Sequence, residues 1–191
     1  MWDLVSTDAP RLLRLLTAEP EIHLATLLAD TAAGVPVAAE DTQVTQALRR
    51  MKSEAALLIA LCDLGGVWPA VQATRALTQV ADTAVDAALR YLLIGYAREG
   101  KLALPDPADV CAGSGYFVLA MGKGGAFELN YSSDIDLIVF YDDTAPALAN
   151  TDVPGQLYVR LTQRLARFLQ ERTAEGYVFR TDLRLRPDPA S

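Results

Sequence analysis

The spacing of apolar residues changes once along this chain, and the change falls at "KLALPDPADVCAGS", residues 101–114. Before it, apolar residues recur every three or four positions; after it they come in short, nearly unbroken runs. Pro105 and Pro107 deny a helix to the segment between. A chain patterned this way cannot be a pure bundle or a pure sheet. The expectation is an α+β fold, with a helical layer over residues 1–110 and a small mixed β-sheet with flanking helices over residues 111–191.

Within the first part, Asp8 followed by Pro10 starts a helix, and Leu12, Leu13, Leu15 and Leu16 give it an apolar stripe. A second helix is expected from about Glu21 to Thr31, ended by Gly34 and Pro36. A third runs from Asp41 or Thr42 to the stop at Gly65 and Gly66. Two more are expected, from Pro69 to Val80 and from Thr83 to Arg98. Past the junction "GYFVLAM", "DLIVFY" and "GYVFRTDLRLR" read as strands, with an amphipathic helix from about Pro154 to Arg172 between the last two.

The chain has 191 residues, 51% of them hydrophobic, which suffices for a sizeable core. A net charge of -7 argues against broad attraction to nucleic acid or an anionic membrane, so any phosphate chemistry must be local. Cys62 and Cys111 have no metal-site or disulfide spacing and read as reduced thiols. The longest apolar run, "AALLIALC", is too short to span a bilayer, and "MWDLVSTDAPRLL" lacks the pattern of a secretory signal. These features lead us to expect a cytoplasmic protein without a membrane or nucleic-acid partner.

The chemistry concentrates in "AMGKGGAFELNYSSDIDL". A glycine-rich turn lets backbone N–H groups approach an anion, and Lys123 adds a point charge. Asp134 and Asp136 stand two apart at the start of a strand and so share one face. Phosphates can approach such carboxylates when Mg²⁺ lies between them. Further on, "VFRTDLRLRP" puts Arg180, Asp182, Arg184 and Arg186 on one face of a strand, offering a third carboxylate among cations. Plainer readings exist for each piece: Asp134 as a turn cap helped by Ser132 and Ser133, "GKGG" as an ordinary tight turn, and the arginines as a charged edge strand. The row Arg160, Arg164 and Arg167 reads as a solvated helix face, and His23 as a surface or partly buried residue.

"MGKGGAFELNYSSDIDLIVFY" followed by "GYVFRTDLRLRP" resembles the nucleotidyltransferase signature of the bifunctional glutamine synthetase adenylyltransferase/adenylyl-removing family, within the polymerase-β-like superfamily. "LRRMKSEAALLIALCDLGGVW" resembles the segment that precedes it there. The usual family form is Gly-Lys-Leu-Gly-Gly, whereas this chain reads Gly122-Lys123-Gly124-Gly125-Ala126. The resemblance implies Mg²⁺ on Asp134, Asp136 and Asp182 as the catalytic and metal-binding residues. It implies nucleotide and phosphate contacts from Gly122, Lys123, Gly125, Ser132, Ser133, Arg184 and Arg186. "ELNYSSDIDL" is closer to the adenylyl-removing copy, in which inorganic phosphate releases AMP from a tyrosine of adenylylated glutamine synthetase as ADP. The alternatives are adenylyl transfer from ATP to the same protein and a non-catalytic regulatory module binding the PII signalling protein. Family enzymes carry two such domains and this chain one, so a fragment lacking the closing C-terminal helices is expected.

Overall fold

The computed structural model describes residues 8–106, 109–149, 154–173 and 176–183. Helix α1 (Ala9–Thr17) starts where Asp8 Oδ1 accepts the Arg11 amide at 2.9 Å. Of its leucine stripe only Leu15 is buried, while Leu13 and Leu16 are exposed. Helix α2 (Pro20–Gly34) opens on a proline, whose missing N–H costs nothing in a first turn, and runs into a 3-10 turn at Val35–Val37.

Helix α3 (Asp41–Leu64) buries Val44, Leu48, Met51, Ala55, Leu58 and Cys62, a spacing of alternating fours and threes that keeps one face on the core. It stops at Gly65, whose hypothetical Cβ would meet Leu61 O at 2.7 Å, and at Gly66 with φ +69°.

Helix α4 is one continuous element, Ala70–Arg98, where the sequence suggested two. Asp82–Thr83 resembles a helix start, but neither glycine nor proline interrupts this stretch, and Val80, Ala81 and Ala84 stay buried across the expected break. The packed face therefore continues through it. Ala73, Ala84, Ala87 and Ala88 are small and fully or nearly fully buried, which lets α2 and α3 approach α4 closely.

Strand β1 (Tyr116–Ala120) leads into a one-turn helix, α5 (Gly122–Gly125), and then into β2 (Ile135–Tyr141). Helix α6 (Pro154–Gln170) returns the chain to β3 (Thr181–Asp182). The sheet order is β1-β2-β3, with β1 antiparallel to β2 (Tyr116 opposite Tyr141, Ala120 opposite Leu137) and β2 parallel to β3. The third strand is much shorter than "GYVFRTDLRLR" suggested; Arg184 and Arg186 lie outside the described residues.

One sheet face, with Tyr116, Ile135 and Leu137, is buried toward the core. The Tyr158 hydroxyl of α6 donates to Ser114 O, and Tyr116 Oη lies 2.8 Å from Thr162 Oγ1. The other face leaves Phe117, Leu119 and Phe140 exposed, with Phe117 and Phe140 stacked at 5.4 Å across the strands. A single cluster of buried residues runs from Leu15 to Phe179, so helical layer and sheet share one core.

Arg49 of α3 stitches the two parts together. It is only 4% exposed, its Nε donates to Gly176 O at 2.9 Å, and its Nη2 donates to Glu171 O just past α6. The guanidinium thereby satisfies a carbonyl left open at a helix end and holds the connection to β3.

Candidate active site

β2 and β3 pair in a register that sets Asp136 directly opposite Asp182. Residues opposite one another on paired strands project to the same face about 5 Å apart, so two carboxylates that are 46 positions distant in sequence become neighbours. Like charges so placed destabilise the pairing unless a cation relieves them. Asp134 stands just before β2 and is exposed. The pairing begins immediately after it, where the Ile135 amide donates to Arg180 O at 2.9 Å.

Asp134 already has a cation. Arg180 Nε donates to its Oδ1 at 2.5 Å, and Arg180 Nη2 donates to Ser132 O at 2.9 Å. The alternation that put Arg180 and Asp182 on one face brings the arginine onto Asp134 rather than leaving that carboxylate bare. Among the described residues, no three or more His, Cys, Asp or Glu side chains are gathered as a metal-holding group. The Asp136–Asp182 pair still fits a Mg²⁺ ion, which takes one or two carboxylates together with waters and phosphate oxygens.

The glycine turn abuts this pair. Gly122 has φ +55°, and a Cβ there would come within 2.7 Å of Asp136 Oδ2. Only a residue without a side chain lets the backbone pass that close to the carboxylate. Gly125 is required for another reason, since its Cβ would strike Ala120 O at 2.5 Å as the chain doubles back. Lys123 is exposed on α5, and among the described residues it makes no ion pair.

Ser132 and Ser133 shape the approach to Asp134. The Ser132 amide (3.1 Å) and the Ser133 hydroxyl (2.8 Å) both donate to Asn130 Oδ1, forming a side-chain-closed turn. Two features of this loop carry no mark in the sequence. Phe127, a non-glycine residue, stands at φ +59°, a conformation that costs an L-residue roughly 1–2 kcal/mol. The Tyr131 hydroxyl donates to Asp63 Oδ2 at 3.1 Å, and burial together with that carboxylate pushes the phenol up to about 12, so it remains a donor at neutral pH. Arg49 is equally silent in "ALRRMK", because only its partners more than 120 positions away distinguish it from Arg50.

Two larger cavities lie elsewhere. One of about 550 Å³ is lined by Trp68, Arg75 and Asp82 between α2 and α4, and one of about 470 Å³ by Asp41, Arg49 and Arg164 between α3 and α6. Neither is lined by Asp134, Asp136 or Asp182; of these, Asp134 is exposed and the other two are half-buried.

The profile of the glutamate-ammonia ligase adenylyltransferase family matches residues 4–191. The chain belongs to this family. It is 60% identical over all 191 residues to a bifunctional glutamine synthetase adenylyltransferase/adenylyl-removing enzyme of a Bradyrhizobium species. Enzymes of the same name from Rhodopseudomonas palustris and Xanthobacter autotrophicus are 56% and 54% identical over the same length. The chain is covered completely in each case but spans 19% of the length of these curated relatives. Among the described residues of this family member, no helix is long and apolar enough to cross a membrane.

Proposed function

We propose that this chain carries a polymerase-β-like nucleotidyltransferase site, formed on residues 111–191 against the helical layer of residues 1–110. Its reaction is phosphorolytic removal of AMP from the adenylylated tyrosine of glutamine synthetase. The observation that carries the reading is the register pairing of Asp136 with Asp182 beside Gly122. The names of the relatives supply both the protein substrate and the two possible directions.

An oxygen of inorganic phosphate attacks the AMP phosphorus, a P–O bond forms to give ADP, and the bond to the tyrosine oxygen breaks, leaving that oxygen to take up a proton. Asp136 and Asp182 would hold Mg²⁺, with Asp134 joining them once Arg180 turns aside; bound there, the ion supplies charge neutralisation for the phosphoryl oxygens. Lys123 and Arg180 offset repulsion between the two anions. Gly122 and Gly125 keep side chains out of the phosphate approach, and the Ser132–Ser133 turn fixes where the substrate meets Asp134. Arg184 and Arg186 complete the cationic row in this proposal. No side chain acts as nucleophile, so catalysis is positioning and electrostatics. A cytoplasmic setting, with ATP or ADP and inorganic phosphate as small-molecule partners and the PII protein as a further partner, belongs to the same proposal.

The test uses the full-length protein carrying this chain, with adenylylated glutamine synthetase, phosphate and Mg²⁺. ADP release is expected. Asp136→Asn should lower its rate by at least about 100-fold without unfolding the protein. Turnover only with ATP would reverse the direction in favour of adenylyl transfer, and normal ADP release by the variant would remove Asp136 from the site.

A further inference from the structure

The loop between the glycine turn and Asp134 is fastened to the helical layer at every second residue. The Arg75 guanidinium of α4 lies 5.9 Å from the centroid of the Phe127 ring. Two residues on, the Leu129 amide donates to Thr78 Oγ1 at 3.3 Å; Leu129 is fully buried and Thr78 nearly so. After two more, the Tyr131 hydroxyl reaches Asp63 of α3. The intervening residues bond within the loop instead: the Glu128 amide donates to Lys123 O at 2.8 Å, and Asn130 closes the serine turn.

Phe127 is the hinge of this arrangement. Its amide donates to Gly124 O at 3.1 Å while that of Glu128 donates to Lys123 O, the pair of bonds that ends a helix through a left-handed residue. Glycine ordinarily fills such a position because it has no Cβ to crowd the backbone. Phenylalanine gives up that ease, and its ring is what Arg75 holds.

We propose that Arg75, Thr78 and Asp63 are positioning residues, through which the helical layer sets where the Gly122–Gly125 turn, Lys123 and Asp134 stand and so how tightly the site takes inorganic phosphate. The kinetic half of this inference rests on the phosphorolysis reading; the structural half does not. The variants are Arg75→Met, Asp63→Ala and their combination, with Arg75→Lys as the conservative replacement that can still place a cation over the ring. Arg75 is exposed, so its replacement leaves the core intact.

Two measurements on the full-length protein decide it. Hydrogen exchange of amides 122–131 should quicken by about five-fold or more in the double variant, while amides 84–93 in the centre of α4 keep their rates. In the double variant the KM for inorganic phosphate should rise by about five-fold with kcat held within about two-fold, while the single Arg75→Lys variant should keep KM and loop exchange near those of the unaltered protein. Unchanged exchange across the loop overturns the proposal. A loosened loop with an unchanged phosphate KM also overturns it, since the turn would then not depend on its anchors. Should the unaltered protein release no ADP, the phosphorolysis reading fails, and the exchange result alone upholds or overturns the anchoring.

Discussion

The helical layer and the sheet solve the problem of stability in opposite ways. Helices α2, α3 and α4 pack against one another, with Leu48, Leu58, Ile59, Ala84, Leu92 and Leu93 almost completely withdrawn from solvent. Among the described residues the sheet has three strands, one of them two residues long, and leaves Phe117, Leu119 and Phe140 exposed on one face. Three short strands alone are marginal. The carboxylates therefore sit on the weaker element, and the stronger one holds it through Arg49 and the loop contacts. Rigidity at the site is borrowed from the helices.

This contrast can be broken at four places. Leu92→Ala, in the helical core, should lower the free energy of unfolding by roughly 2–5 kcal/mol in denaturant titrations. Arg49→Met removes the Nη2 donor from the Glu171 carbonyl and leaves Gly176 O to Thr173; it should cost about 2 kcal/mol, with exchange quickened around β3 more than in α4. Gly122→Ala forces a Cβ against the Asp136 carboxylate at a positive φ; about 1–2 kcal/mol of stability is expected to go, with a disproportionate fall in ADP release. Phe140→Ser, on the bare sheet face, should cost less than about 1 kcal/mol. If Phe140→Ser proved as damaging as Leu92→Ala, the distinction between supporting and supported regions would collapse.

Much of this was open to reading in the residues. Helices α1, α2 and α3 follow from Asp8 with Pro10, the stop at Gly34 and Pro36, and the Gly65–Gly66 stop, and β1 and β2 from their apolar runs, because these signals are local. Asp134 and Asp136 announced themselves by spacing at the start of β2. What escaped was set by distant partners. The unbroken α4 depends on packing against α2 and α3, which overrode a plausible cap at Asp82. The Arg180–Asp134 ion pair requires the β2–β3 register, and the left-handed Phe127 requires a ring contact and a loop geometry that no neighbouring residue encodes.

The contact between Gly122 and Asp136 has a consequence for substitution at the glycine turn. With the carboxylate 2.7 Å from where a methyl would begin, a side chain at 122 displaces the group at 136. The two positions, fourteen apart along the chain, meet at one point of the site. Because the backbone at 122 is itself left-handed, a shorter residue at 136 would relieve the clash but not the strain of a side chain at 122.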